Sequence, residues 1–360
     1  MELSLIGFPQ SGKTTVFNAL TRGKVETAYS PGSHIGVVKV PDPRLEQLSQ
    51  LLKPKRVVPA EVQYVDHPVP AGLGKGEGIG GQFLAQLSQS DALIHVVRAF
   101  NGSAPDELDR DVTAMDMELI LSDLAIVERR KEKLKSLLKG AREVEREASL
   151  REMALFEKLG QALEENQPIR EQDLSPTELK LIENYQFLTA KPMLLIFNIG
   201  EESLGQAARL EEELSQRYRR PRVGVAVLSG KLEMELCQLE EPDAEVFRQE
   251  MGLTESGLNR VIKLSYDLLE LVTFFTIASG EVRAWPVRRG TTVQRAAGKI
   301  HTDMERGFVR AEVISHDDLK RCGSLQEARS KGLLRLEGKN YLVQDGDVIT
   351  ILFNPPSRKS

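Results

Sequence analysis

Eight consecutive residues near the start of the chain, Gly7-Phe8-Pro9-Gln10-Ser11-Gly12-Lys13-Thr14, have the types and spacing that hold phosphate. They match G-x-x-x-x-G-K-[ST] in full. Glycine permits the backbone conformations that turn successive N–H groups toward an anion. A helix beginning where the loop ends adds its positive dipole end. Lys13 is a cation for the β- and γ-phosphates. The Thr14 hydroxyl is a hard oxygen donor for Mg²⁺, and Thr15 carries the loop into the helix. The chemistry this implies is binding of a nucleoside triphosphate, with its hydrolysis as the reaction to follow.

Such a loop needs a strand before it and a sheet around it. Short apolar runs bounded by turn residues predict strands over 3–6, 36–40, 62–66, 92–100, 192–198 and 223–229. Helical patterns alternate with them, which predicts an α/β domain with a mostly parallel sheet covered on both faces. Residues 106–184 break the alternation. Leu121, Leu124, Val127, Leu134, Leu137 and Leu138 recur at helical spacing, followed by Leu150, Met153, Leu155, Leu159 and Leu163. Gln167-Pro168 and Ser175-Pro176 then interrupt the pattern, so an antiparallel helical pair is expected here. From residue 273 β-like runs return around one helical stretch at 293–300, predicting a small α+β module to about residue 356. The expected division is 1–105 with 185–272, then 106–184, then 273–356.

Composition fits this picture. The chain has 360 residues, 41% apolar and 28% charged, with a formal net charge of −5. That excludes a globally basic nucleic-acid binder, and nothing points to reading of a DNA sequence. RNA contacts must use local patches. One is the run Arg129, Arg130, Lys131, Lys133, Lys135 and Lys139; another is Arg283, Arg288, Arg289, Arg295, Lys299, Arg306 and Arg310. Cys237 and Cys322 are the only cysteines and lack metal or disulfide-framework spacing, which suggests a reducing compartment. The first residues do not resemble a signal peptide, and no run of about 18 apolar residues occurs. A cytoplasmic protein without membrane contact is expected.

Several longer strings carry a family resemblance. They are the phosphate loop, Gly36-Val37-Val38-Lys39-Val40-Pro41-Asp42-Pro43-Arg44-Leu45, Gly74-Lys75-Gly76-Glu77-Gly78-Ile79-Gly80, and Ala92-Leu93-Ile94-His95-Val96-Val97-Arg98. Glu281-Val282-Arg283-Ala284-Trp285, Ala297-Gly298-Lys299-Ile300-His301-Thr302-Asp303 and Asp345-Gly346-Asp347-Val348 continue the series. Over nearly its whole length the chain resembles the YchF / Obg-like ATPase family. The resemblance implies a Ras-like P-loop domain, an inserted helical coiled coil and a C-terminal TGS module of β-grasp form. It also implies association with ribosomes or ribosomal RNA, Mg²⁺ dependence, and ATP in place of the GTP used by related proteins.

The remaining candidate residues sharpen and qualify this. GTPases read guanine with Asn-Lys-x-Asp, whose carboxylate accepts two guanine hydrogen bonds. Here the string is Asn198-Ile199-Gly200-Glu201: lysine is absent and the carboxylate is one methylene longer. The guanine clamp should be lost and ATP favoured, with Ser229 and Gly230 forming the second base-side loop. Asp66 ends a predicted strand and suits a Mg²⁺ ligand, and Ser30 offers a second hydroxyl. The usual Asp-x-x-Gly continuation departs strongly, because Val69 stands at the glycine position and Pro70, which lacks an N–H, follows. Neither switch supplies a water-orienting glutamine. The family's strand histidine falls at His95, whose imidazole suits work on water near neutral pH, although its apolar neighbours equally suit a buried core histidine. His67 is a second candidate, and residues 74–81 form a loop expected to order over the triphosphate. Three readings stand: a slow ribosome-linked ATPase, a nucleotide sensor with little hydrolysis, and a GTPase with an unusual base pocket.

Overall fold

A computed structural model describes residues 1–23, 32–70, 73, 79–139, 142–251, 253, 255–278 and 280–354. Ser30 and residues 74–78, expected to serve the site, lie outside the described residues. The chain forms two compact units, Met1–Val38 with Gln63–Leu264, and Lys39–Val62 with Ser265–Ser360. The strands in chain order are β1 (Glu2–Ile6), β2 (His34–Lys39), β3 (Arg56–Val58), β4 (Glu61–Asp66), β5 (Ala92–Ala99) and β6 (Met193–Ile199). They continue with β7 (Val223–Leu228), β8 (Leu271–Ala278), β9 (Glu281–Arg288), β10 (Phe308–Ser315), β11 (Arg335–Glu337) and β12 (Asp347–Phe353).

The first unit is built on a sheet of order β2-β4-β1-β5-β6-β7. β4, β1, β5, β6 and β7 run parallel to one another. Every residue of β6 is buried, as a strand covered on both faces requires. Leu93, Val97 and Phe197 pack with Val112, Met115 and Leu119 of the helix Pro105–Leu138. That helix starts at a proline, and Glu107 accepts the Ala104 N–H at 3.3 Å. A second helix, Glu143–Glu164, returns antiparallel: Arg130 pairs with Glu152 at 2.7 Å, and Gly160 lies against Val127. The expected helical pair is therefore present.

Buried polar groups fix this pair to the sheet. Asp123 accepts the Leu188 N–H at 2.9 Å, and the Thr189 N–H and hydroxyl at 2.7 Å each. Burial pushes its carboxyl up to about 6, against the pull of those three donors. Asp116 takes both the Arg170 and Arg220 guanidinium groups, and burial opposes the lowering they impose on it. None of these partners was visible in the sequence, since they meet only after folding.

The second unit is a β-grasp-like sheet of order β11-β10-β12-β8-β9-β3. β8 and β9 form an antiparallel hairpin, the helix Val293–Ile300 crosses, and β12 returns parallel to β8. Phe274, Val287, Val293, Ala296 and Val313 fill one core cluster. Leu45, Leu48, Phe275, Val282 and Ala284 fill the other. The sequence assigned residues 39–62 to the first domain, but they fold into this second unit. β3 pairs parallel with β9, and the helix Pro43–Leu52 is capped by Asp42, which accepts the Arg44 N–H at 2.9 Å. The physical reason is apolar: Leu45 and Leu48 cover the second face of the C-terminal sheet. Among the β-like runs expected after residue 273, the stretch 341–343 contributes only one isolated bridge, from Leu342 to Thr292.

Candidate functional site

The loop lies between β1 and the helix Lys13–Thr21. Ser11 N–H donates to the Phe8 carbonyl at 3.2 Å, and Val16 N–H to Gly12 O at 2.9 Å. The N–H groups of Lys13, Thr14 and Thr15 precede that first helical bond and stay available to an anion. Gly12 has φ +85°, and a Cβ there would run into the Asn198 side-chain amide. Only glycine meets both conditions. Pro9 and Gln10 are exposed, Ser11 is buried, and Phe8 and Thr15 are half-buried.

At the mouth of the loop, Lys13 Nζ is ion-paired with Asp66 and also donates to the His67 carbonyl at 2.5 Å. Thr14 Oγ1 donates to Asp66 Oδ2 at 2.8 Å. Lys13 and Asp66 are 8% and 3% exposed, so their charges compensate each other away from bulk water. A hydroxyl and a carboxylate this close are hard oxygen donors of the kind Mg²⁺ takes, and a phosphate would satisfy Lys13 in place of Asp66. The residues present therefore fit a Mg²⁺–nucleotide.

On the opposite side, Asn198, the penultimate residue of β6, ties two loops together. Its amide donates to Ser11 O at 3.0 Å and accepts the Gly230 N–H at 2.9 Å. Ser229 caps the following helix Gly230–Leu236 through the Leu232 N–H at 3.5 Å. Asn198 is 5% exposed, so Asn198→Ala would leave two backbone groups unpaired in the interior. A loss of about 2 kcal/mol in unfolding free energy is expected, together with weakened nucleotide binding. Denaturant titration checks this, and an unchanged midpoint would refute it. Glu201 is exposed and paired with Lys231 at 2.8 Å, so its carboxylate is already engaged. Ile199, expected beside the base, is 4% exposed and has its side chain in the apolar core. Any contact it makes at the site must come from its backbone.

The two histidines exchange importance. His95 stands mid-strand between Ile6 of β1 and Leu195 of β6 and is 1% exposed. Among the described residues neither ring nitrogen has a hydrogen-bond partner, and its aromatic contact is edge-on with Phe8 at 6.4 Å. Burial, and more weakly Arg220 and Arg170, push its pKa down to about 4 despite Asp116. A neutral, enclosed ring with no polar link to Lys13, Thr14 or Asp66 is a core residue. This environment favours the buried-core alternative, which the apolar neighbours in the sequence also suit, over the catalytic one. His67 instead sits within the polar cluster. Its Nε2 is hydrogen-bonded to Ser4 Oγ at 3.0 Å and its Nδ1 to Ser33 Oγ at 2.7 Å. Burial and the Lys13 charge lower its pKa, while Asp66 raises it.

Comparison with known proteins follows the same division. A family described as "50S ribosome-binding GTPase" matches residues 2–138, and YchF-GTPase_C, described as "Protein of unknown function (DUF933)", matches residues 271–354. The chain is 37% identical to the ribosome-binding ATPase YchF of Bacillus subtilis, covering 97% of this chain and 98% of that one. It is 40% identical to the ribosome-binding ATPase YchF of Haemophilus influenzae, with 97% and 98% covered. The solved structure of the Schizosaccharomyces pombe YchF GTPase superposes with TM-score 0.83 at 29% identity, covering 98% of this chain and 97% of that one.

Proposed function

The chain belongs to the YchF family, and on that footing we propose that it binds and slowly hydrolyses ATP as a ribosome-associated switch. The observation that carries this reading is the convergence of Lys13, Thr14 and Asp66 at the mouth of the loop. In this proposal the N–H groups of the loop and of Thr14 and Thr15 cradle the phosphates, and Lys13 neutralises their charge. Thr14 and Asp66 would hold Mg²⁺, which supplies charge neutralisation across the phosphates when bound. Val69 keeps an N–H at the usual glycine position but adds a branched side chain, and Pro70 after it has no N–H to donate, which favours slow turnover.

Base choice rests on Glu201. A carboxylate displaced by one methylene and paired with Lys231 makes a poor acceptor for guanine's two donors. ATP is expected to bind about tenfold more tightly than GTP, a difference of about 1.4 kcal/mol. Titration with labelled ATP and GTP measures it, and equal or tighter GTP binding would overturn the preference.

Ribosome association is supported by the names of the relatives and by local charge. Arg288, Arg289, Arg295, Lys299, Arg306 and Arg310 are exposed in the second unit despite the acidic net charge. Phosphate contacts of this kind weaken steeply with salt, so co-sedimentation with ribosomes should fall as ionic strength rises. Among the described residues no helix is long and apolar enough to cross a membrane. A cytoplasmic location belongs to the same proposal.

A further inference from the structure

His67 holds together four pieces of the first unit. Its carbonyl accepts Lys13 Nζ. Its Nε2 reaches Ser4 inside β1, and Ser4 Oγ in turn shares a 2.5 Å hydrogen bond with Ser90 Oγ. Its Nδ1 reaches Ser33 at the entrance to β2, where Gln86 Nε2 also donates to Ser33 Oγ at 3.3 Å. Its ring meets Phe83 of the helix Gly81–Ser88 edge-on at 6.1 Å. Ser4, Ser90 and His67 are 0%, 3% and 5% exposed, so the anchored side of the ring is fixed in the interior. The Ser33 side leads to exposed residues of β2, the edge strand of its sheet.

We infer that His67 is a positioning residue that couples the phosphate lysine to the segment entering β2, replacing the link a glycine N–H makes in Asp-x-x-Gly. The inference rests on the nucleotide-binding reading above. Lys13 has two acceptors beside it, Asp66 and the His67 carbonyl. A phosphate that attracts Lys13 competes with both, because a charge-assisted bond to phosphate is stronger than one to a neutral carbonyl. Any shift of the His67 peptide carries the ring, and Nδ1 carries Ser33. Interior packing on the Ser4 side leaves the Ser33 side as the one free to respond. The geometry thus gives nucleotide occupancy a route to β2 without residues 69 and 70.

The ring's two nitrogens allow a sharp test. Asparagine places a polar atom near Nδ1, whereas glutamine places one near Nε2. Wild type, His67→Asn, His67→Gln and His67→Ala are compared in kcat and KM for Mg-ATP, and in amide hydrogen exchange of residues 32–38 with and without Mg-ATP. Melting temperature serves as the folding control. His67→Ala and His67→Gln are expected to lose about tenfold in kcat with little change in KM, and to lose the nucleotide-dependent protection of 32–38. His67→Asn should recover both. Recovery by glutamine but not asparagine, or retained protection in His67→Ala, would overturn the inference by leaving His67 only an anchoring role. Should His67→Ala fail to fold, Ser33→Ala carries the test, since it breaks the same link from the exposed end; normal protection there also overturns it. Failure of the wild type to bind labelled ATP would instead count against the nucleotide reading itself.

Discussion

Lys13→Ala is expected to lower ATP turnover by about 10²–10³-fold, the cost of removing one preorganised charge from a reacting phosphoryl group. The structure adds a second consequence. Lys13 is the cation paired with Asp66, which is 3% exposed, and the alanine variant leaves that carboxylate, among the described residues, with the Thr14 hydroxyl alone. Breaking a buried pair from one side costs about 3 kcal/mol or more. Turnover and thermal unfolding should therefore fall together in the absence of nucleotide. Mg²⁺ should recover part of the stability, because Asp66 then has a cation again. Side-by-side assays of wild type and variant, with melting curves at several Mg²⁺ concentrations, measure both. Turnover within tenfold of wild type would remove Lys13 from the chemistry and leave it a structural ion pair.

Acid should destabilise the protein through His95. The unfolded residue takes up a proton near pH 6.5, whereas the folded one resists until about pH 4. In that window the unfolded chain binds more protons, so stability is full above pH 6.5 and falls as pH drops through it. The contribution lost by pH 4 is about 3 kcal/mol, from about 1.4 kcal/mol per pKa unit. Asp123 works the other way. Its carboxyl, raised to about 6, favours the folded state at low pH and withdraws that support as pH rises. The two buried groups oppose each other between pH 4 and 6, so the whole-protein curve is a poor test. The difference between wild type and His95→Leu isolates the histidine. The variant should lose the acid-side fall and keep turnover of wild-type order at pH 7. A parallel pair of stability curves would show that His95 is protonated in the fold. A collapse of turnover would return it to the chemistry.

The fold was legible wherever a pattern is local. Apolar runs at 3–6, 92–100 and 192–198 became β1, β5 and β6 within a residue or two, because strands buried on both faces need continuous apolar residues. The phosphate loop was legible because its chemistry demands particular residues at fixed spacing. What the sequence hid depends on partners distant along the chain. Arg56-Val57-Val58 is too short and too polar at its start to announce a strand, and only β9 gives it a place. His67 reads as one residue of a degraded motif until Ser4 and Ser33 arrive at its two nitrogens. His95 presented the reverse case. Its neighbours Ile94, Val96 and Val97 signalled the core plainly, and the functional expectation came from the family resemblance.

The excursion of residues 39–62 into the second unit has a consequence for biosynthesis. Chains emerge amino end first, and domains generally fold as units as they emerge. The helix Pro43–Leu52 and β3 are made early, but β8 and β9, which they cover, are made near the end. Leu45 and Leu48 must therefore wait without their apolar partners Phe275, Val282 and Ala284 while the intervening chain is synthesised. For the same reason, a fragment cut to residues 271–354 would be born without one edge strand and with one oily face bare.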